Sequence, residues 1–261
     1  MQFNRLALAA LVVAGHAAAA DTAHAPIRVI LVGDSTMATK SGYGDALCAR
    51  FAPGVTCVNL ARGGRSSSSF RYEGRWDEVQ RMLKDGATFK ATYVLVQFGH
   101  NDQPGKGKRA TDLVTQFPAN MARYAQETRA LNGIPVLVTP LTRRTFKGAY
   151  LADDLAPWAA ATRGAAAQEH AALLDLNADS VAAVQAMGQD EADTLAVVPR
   201  PPDYGQPADP SKVERAGPAK TAFDRTHLGA KGADFFARMV ERELVAARPE
   251  TAAYFKDGGK P

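Results

Sequence analysis

The chain has 261 residues, of which 46% are hydrophobic and 22% charged, with 22 glycines, 15 prolines and 2 cysteines. This composition is typical of a folded globular protein and argues against a disordered chain, a collagen-like repeat or a scaffold built on many disulfides. The 31 basic and 27 acidic residues leave a formal charge of +4. Because this small excess is far from the clustered basic surface of a nucleic-acid-binding protein, we expect no nucleic-acid partner.

The first 20 residues have the pattern of a secretory signal peptide. Arg5 precedes an apolar run from Leu6 to Gly15, and Ala18-Ala19-Ala20 provide an A-x-A cleavage site. A buried N-terminal helix is the alternative. The run is too short to cross a bilayer, and no later segment reaches about 18 uninterrupted apolar residues. We therefore predict a periplasmic or secreted protein, cleaved after about Ala20 and without a stable membrane anchor.

Cys48 and Cys57 are the only cysteines, at the end of a predicted helix and inside the strand that follows. Export would permit a disulfide between them. The alternative is two buried thiols that behave as small hydrophobic side chains. Two cysteines without a cluster of histidines do not make a structural zinc site, so no metal is expected.

Short apolar runs alternate with longer segments of helical spacing, which predicts a parallel sheet covered by helices on both faces. The five predicted strands are Ile27–Val32, Val55–Leu60, Tyr93–Phe98, Ile134–Thr139 and Ala172–Leu176. The predicted helices include Arg75–Leu83, Thr111–Leu131, Leu155–His170 and a last helix from Ala230 to Ala246. The fold class is therefore α/β, a three-layer α/β/α sandwich with a five-stranded parallel sheet.

Residues 197–218 interrupt this alternation, because they hold six of the 15 prolines and cannot form a regular helix or a central strand. We predict a long loop there. No internal repeat, heptad pattern or linker divides the chain. Residues 21–261 are therefore predicted to form a single domain.

Polar clusters follow the first three predicted strands, and a fourth precedes the last helix. They are Gly33-Asp34-Ser35-Thr36, Gly63-Gly64-Arg65-Ser66, Gly99-His100-Asn101-Asp102 and Asp224-Arg225-Thr226-His227. Each cluster alone has an ordinary structural explanation, such as a helix cap, a turn glycine, an Asx turn or a structural histidine. Their joint occurrence indicates a site, because an open parallel sheet gathers the carboxyl ends of its strands at one edge.

The residue types in these clusters are those of serine acyl transfer. Ser35 is the candidate nucleophile, His227 the base that takes its proton, and Asp224 the group that orients the imidazole. The backbone N–H groups of Ser35 and Gly64 and the side-chain amide of Asn101 are the candidate oxyanion donors. The G-x-S-x-G elbow of α/β-hydrolases and the phosphate loop GxxxxGK[ST] are both absent from the sequence.

The four clusters, in this order, resemble the four blocks of the SGNH (GDSL-type) hydrolase family. The resemblance implies a flavodoxin-like α/β/α sandwich, ester hydrolase activity, no metal cofactor and the roles given above. A narrower resemblance is to the rhamnogalacturonan acetylesterases of carbohydrate esterase family twelve. The segments that carry it are GDSTMA at 33–38, GRSSSSF at 64–70, EGRW at 73–76, FGHND at 98–102 and DRTHL at 224–228.

Several residues near the predicted site could contact a sugar polymer. Arg65 and Arg75 could pair with uronic acid carboxylates, although solvated or structurally paired arginines are the alternative. His100 is assigned a substrate-side or supporting role, because no acidic residue precedes it as Asp224 precedes His227. The aromatic residues Phe70, Tyr72 and Trp76 either stack on a sugar ring or pack in the core.

The leading hypothesis is an exported serine esterase that removes O-acetyl groups from a plant cell-wall polysaccharide, with rhamnogalacturonan as first candidate and the acetylated polymer as partner. One alternative is a periplasmic lipid esterase or thioesterase of the GDSL type. Another is a carbohydrate-binding protein without catalysis, which the intact set of Ser35, Asp224 and His227 argues against. Oligomeric state stays open.

Overall fold

The centre of the molecule is a parallel sheet of five strands. We describe it from a computed structural model that covers residues 25–202, 204 and 223–259. The strands are β1 (Ile27–Gly33), β2 (Val55–Asn59), β3 (Ala91–Gln97), β4 (Ile134–Val138) and β7 (Ala172–Leu174). They pair in the order β2-β1-β3-β4-β7, all parallel, which is the flavodoxin-like order. The predicted α/β class and all five strands are confirmed.

The described chain has seven α-helices and a small antiparallel hairpin. The helices are α1 (Gly44–Cys48), α2 (Ser69–Tyr72), α3 (Arg75–Lys84), α4 (Gln116–Ala130), α5 (Ala156–Gln168), α6 (Leu176–Asp193) and α7 (Ala230–Ala247). The hairpin strands are β5 (Phe146–Lys147) and β6 (Tyr150–Leu151). Short 3₁₀ helices occupy Gly107–Arg109 and Pro249–Tyr254. None of the described helices has the length and apolar composition needed to cross a bilayer.

The helices differ from the predictions at the start of α4 and in α2 and α6, neither of which was predicted. The helix expected from Thr111 begins at Gln116, because the carboxylate of Asp112 accepts the N–H groups of Val114 and Thr115 and holds a turn there. Helix α6 was not predicted, and Gly188 interrupts its helical backbone with φ 73° and ψ 172°.

Alternating side chains of the central strands form two hydrophobic cores, one on each face of the sheet. On β1, Val29 and Leu31 belong to the core shared with α1, α6 and α7, whereas Ile30 and Val32 belong to the core shared with α3, α4 and α5. A strand buried on both faces reads as a continuous apolar run. This accounts for the sequence signal and for the three layers.

Two open alternatives from the sequence are resolved by the structure. Cys48 at the end of α1 and Cys57 in β2 form a disulfide. Phe70 and Trp76 are buried in the core, where the Trp76 ring lies edge-on to Tyr124 with centroids 4.7 Å apart. The idea that these two rings stack on a sugar is therefore wrong. The predicted signal peptide (1–20) and most of the proline-rich loop lie outside the described residues.

Candidate active site

Ser35 lies in the turn directly after β1 and is 9% exposed. The Asp34 carboxylate caps this turn, since its Oδ1 accepts the Thr36 N–H at 2.9 Å and the Thr36 hydroxyl at 2.8 Å. Ser35 therefore does not act as the helix cap that its sequence context allows. Within the described residues its hydroxyl makes no hydrogen bond, so it is available to a reacting group.

A buried contact between His100 and Asp34 supports this turn. The Nδ1 atom of His100 lies 3.3 Å from Oδ2 of Asp34, and both side chains are almost fully buried. Burial raises the pKa of Asp34, but His100 and the hydrogen bonds from Thr36 outweigh it, so the net pKa is lowered. No acidic residue precedes His100 in the sequence as Asp224 precedes His227, but the fold supplies an acidic partner, Asp34, directly after β1. At 3% exposure, His100 is placed to support Ser35.

The Gly63-Gly64 turn brings two backbone donors together. A Cβ atom on Gly63 would stand 3.7 Å from the Cβ of Ser35, so the two segments adjoin. Gly64 has φ +77°, a left-handed conformation that glycine adopts without strain. The N–H groups of Ser35 and Gly64 donate to no acceptor within the part of the chain that the structure describes. They are thus free to bind an oxyanion.

The amide of Asn101 is held beside these donors. Its Nδ2 donates to the carbonyl of Arg65 at 3.0 Å, which links the two loops. Arg109 donates to the Gly64 carbonyl at 3.2 Å and to Oδ1 of Asn101 at 3.4 Å. Arg109 was missed by the sequence analysis, since it lies in none of the four clusters.

Asp102 joins the same two loops from inside the protein. Its Oδ1 accepts hydrogen bonds from the Ser67 hydroxyl at 2.6 Å and the Thr111 hydroxyl at 3.0 Å, and both of its oxygens lie near the Ser67 N–H. Burial raises its pKa to about 6, although the hydrogen bonds from Ser67 and Thr111 act in the opposite direction. Tyr124 adds a hydrogen bond to the Ser67 carbonyl at 2.8 Å.

The fourth cluster forms the expected Asp–His pair. Oδ2 of Asp224 lies 2.7 Å from Nδ1 of His227, while its Oδ1 accepts the N–H groups of Thr226 and His227 at 2.8 and 3.0 Å. Burial raises the pKa of Asp224, but the hydrogen bonds from His227 and Thr226 more than offset it and leave the pKa lowered. The carboxylate therefore stays ionised and can orient the imidazole.

Ser41 connects this pair with the nucleophile turn. Its hydroxyl donates to the Ser35 carbonyl at 2.8 Å, and its own carbonyl accepts the Leu228 N–H at 2.9 Å. Leu228, the residue after His227, is therefore bonded to Ser41, and Ser41 is bonded to Ser35. No direct hydrogen bond joins Ser35 to His227 in the described structure. Such catalytic contacts are commonly long before substrate binds and then tighten.

Two buried charges outside the predicted motifs hold the Asp224–His227 loop. Arg144, fully buried after β4, donates to the carbonyls of His227, Asp224 and Thr226 at 2.8, 3.3 and 3.4 Å. Burial lowers its pKa to about 10. Asp193, at the end of α6, binds Arg225 with both carboxylate oxygens, at 3.0 and 3.1 Å. No local pattern marks Arg144 or Asp193, because their partners lie far away in the sequence.

The two arginines predicted to bind substrate share one carboxylate. The Nε atoms of Arg65 and Arg75 lie 2.8 and 3.0 Å from Oε2 of Glu73, and Arg65 also donates to the Gly63 carbonyl at 2.8 Å. Hydrogen bonding from Arg65 contributes most to a lowered Glu73 pKa. Both arginines are therefore at least partly engaged within the protein.

Comparison with known proteins agrees with this arrangement. The GDSL-like Lipase/Acylhydrolase family matches residues 31–235. Rhamnogalacturonan acetylesterase RhgT of Bacillus subtilis (strain 168) is 31% identical over 223 residues, covering 82% of this chain and 88% of the relative. The structure of protein YXIM from Bacillus subtilis superposes with TM-score 0.64 at 22% identity, and spans 85% of this chain but only 56% of its own.

A second solved structure, the acetylxylan esterase Axe2 from Geobacillus stearothermophilus, has a TM-score of 0.56 at 17% identity. The match covers 83% of this chain and 93% of Axe2. At such identities these two structures support the fold alone. The family match covers most of the chain and includes Ser35 at one end and His227 at the other. The chain belongs to the GDSL-like lipase/acylhydrolase family and is a carboxylic ester hydrolase.

Proposed function

We propose that the protein is an exported serine esterase that removes O-acetyl groups from a plant cell-wall polysaccharide, with rhamnogalacturonan as the first candidate. The observation that carries this proposal is the Asp224–His227 pair held beside the Ser35 turn through Ser41. In the proposed reaction the Ser35 Oγ attacks the acetyl carbonyl carbon while Nε2 of His227 takes the hydroxyl proton. The sugar oxygen then leaves with that proton.

The second half of the reaction restores the enzyme. Water attacks the acetyl group on Ser35, His227 takes a proton from the water, and acetate leaves as the proton returns to Ser35. In both halves the negative oxygen of the tetrahedral intermediate binds the N–H groups of Ser35 and Gly64 and the Asn101 amide. The first two donors are unengaged within the described chain, which supports this role.

A polysaccharide substrate is supported by the relatives and by the surroundings of Ser35. RhgT is named a rhamnogalacturonan acetylesterase and Axe2 an acetylxylan esterase. A groove of about 470 Å³ beside Ser35 includes the polar residues Thr39, Ser41 and Asn59 in its wall. A long acyl chain would bury little apolar surface there, whereas sugar hydroxyls would find hydrogen-bond partners.

The direct test is acetate release from acetylated rhamnogalacturonan by the wild type and by Ser35→Ala. We expect kcat to fall by roughly 10⁴–10⁶ with the fold unchanged by circular dichroism. Retained acetate release in Ser35→Ala would exclude the mechanism. A series of p-nitrophenyl esters from C2 to C12 tests the acyl group, because an optimum at C8 or longer would favour the lipid esterase instead.

Export is supported by the signal-peptide pattern of residues 1–20 and by the Cys48–Cys57 disulfide, since disulfides persist in oxidising compartments. We expect the mature protein in the periplasm or the medium, with its N-terminus close to Asp21. Cell fractionation followed by N-terminal sequencing checks this. An intact N-terminus in the cytoplasmic fraction would overturn the proposed location.

A further inference from the structure

The groove adjoins the turn that contains Ser35. Ser41 and Gly63 both line it. The Ser41 hydroxyl donates to the Ser35 carbonyl at 2.8 Å, and a Cβ on Gly63 would lie 3.7 Å from the Cβ of Ser35. Its volume of about 470 Å³ falls inside the range of small-molecule sites, about 300–1,000 Å³. Sugar residues next to an acetyl group on Ser35 can therefore lie in this groove.

Most polar side chains of the groove already have partners in the protein. Asn59 donates to Asp45 at 2.7 Å and accepts the Ala61 N–H at 3.1 Å. The Nε of Arg75 lies 3.0 Å from Glu73. The amide of Asn59 is therefore engaged within the chain, and the charge of Arg75 is offset at least in part by Glu73.

Arg62 differs from these residues. Its backbone N–H donates to the carbonyl of Gly33 at 2.9 Å, which fixes it at the end of β1, two residues before Ser35. Its side chain is exposed and makes no hydrogen bond or ion pair with any residue that the structure describes. Arg65, in contrast, is bound to Glu73 and to the Gly63 carbonyl. Arg62 is thus the groove cation that can receive an anionic ligand.

A free guanidinium is suited to one class of ligand in particular. Its parallel N–H groups match the two oxygens of a carboxylate. Arg62, Arg65 and Arg75 are three cations and Glu73 and Glu78 two anions, so the groove and its bonded neighbours have a charge of +1. This balance suits a single carboxylate between neutral sugars more than a continuous run of carboxylates.

We propose that Arg62 binds the carboxylate of a uronic acid residue adjacent to the acetylated sugar and so selects acidic over neutral acetylated polysaccharides. The proposal rests on the proposed function of the Ser35 site. Arg62 is a specificity residue in this scheme, since it contacts the polymer away from the acetyl carbon. The sequence predicted this role, binding of a uronic acid carboxylate, for Arg65, which is instead bonded to Glu73 and to the Gly63 carbonyl.

The experiment measures binding separately from deacetylation. Hydrolysis of p-nitrophenyl acetate is followed while unacetylated rhamnogalacturonan oligosaccharides are added as inhibitors, for the wild type, Arg62→Gln, Arg62→Lys and Arg242→Gln. Arg242 is the matched control, an exposed arginine on α7 that lies about 18 Å along the helix from its first residue, Ala230. Neutral xylo-oligosaccharides serve as the control ligand.

We expect Arg62→Gln to raise the inhibition constant of the uronate oligosaccharides roughly threefold to fivefold, with Arg62→Lys between it and the wild type and Arg242→Gln unchanged. Hydrolysis of p-nitrophenyl acetate without inhibitor should stay at the wild-type rate in all variants. The effect should shrink in 0.5 M NaCl, because salt screens an exposed charge pair.

Three results would overturn the proposal: equal inhibition of the wild type and Arg62→Gln, equal inhibition by uronate and neutral oligosaccharides, or an equal loss in Arg242→Gln. If the proposed function itself is wrong, the experiments give a different result. In that case the wild type would bind the uronate oligosaccharides through Arg62 yet release no acetate from acetylated rhamnogalacturonan.

Discussion

The two sides of the candidate site are held in different ways. On the oxyanion side, Ser35 and Asn101 are buried, and Asp102 joins the Asn101 loop to the loop of Gly64 through Ser67. On the base side, Asp224 and His227 are half-buried, and the loop is held mainly by its carbonyls, which bind Arg144. Oxyanion donors must be in place before charge develops. A base must reach both the hydroxyl and the leaving group, so its loop backbone is anchored while the ring stays accessible.

The largest effect on the base side should come from Asp224→Asn. The amide cannot stabilise the imidazolium and can hold His227 in the wrong tautomer, so we expect kcat to fall by roughly 10⁴. Acetate release measures the effect. Asp234→Asn, an exposed carboxylate paired with Arg238 on α7, is the control and should retain activity. Loss of less than tenfold in Asp224→Asn would show that another group orients His227.

On the oxyanion side, Asn101→Ala removes a single donor. We expect kcat to fall roughly 10²–10³-fold with KM almost unchanged, because the donor acts on the transition state. Asn120→Ala is a matched truncation, since Asn120 donates to the Ser67 hydroxyl at 3.0 Å and supports the same loop without being a candidate donor. If both variants lose kcat equally, Asn101 supports the loop and does not bind the oxyanion.

The strands of the fold could be predicted from the sequence more fully than its helices. The five strands could be predicted because buried parallel strands are continuous apolar runs, as in β1. Helix α6 was missed because its apolar residues form no clear stripe and Gly188 breaks its backbone. The boundary at Gln116 was missed because a side chain, Asp112, determines it.

The contacts of the candidate site also differ in how well the sequence predicts them. Asp224 and His227 are three residues apart, so their pairing can be read locally. The contact of His100 with Asp34 depends on the adjacency of β1 and β3, and the contact of Arg144 with His227 depends on the position of the loop after β4. Neither has a spacing signal. The sequence therefore predicts the reacting groups better than the groups that hold them in position.

Asp102 gives the oxyanion side a pH-dependent stability. Its folded pKa of about 6 lies above the ordinary value of 3.8, so between these values the folded state binds more protons than the unfolded state. Its contribution therefore decreases as pH rises from about 4 to above 6, by at most about 3 kcal/mol. Urea unfolding of the wild type and Asp102→Asn across pH 4–7.5 isolates it.

We expect the stability of Asp102→Asn relative to the wild type to rise with pH across that window and then level off. The absolute stability of the variant depends on how well an amide replaces the carboxylate beside Ser67. The pH dependence of the difference does not, because the amide cannot titrate. A difference that is constant with pH would mean that Asp102 titrates at its ordinary value in the folded protein.

Arg144→Met tests the anchor of the base side. Methionine fills much of the same space but donates no hydrogen bond to the carbonyls of Asp224, Thr226 and His227. We expect a 10–100-fold fall in kcat, because a displacement of about 1 Å at a catalytic group can cost about 10² in rate. The oxyanion side should be unaffected, so Arg144→Met and Asn101→Ala should combine additively in activation free energy. Strong non-additivity between them would show that the two sides move together.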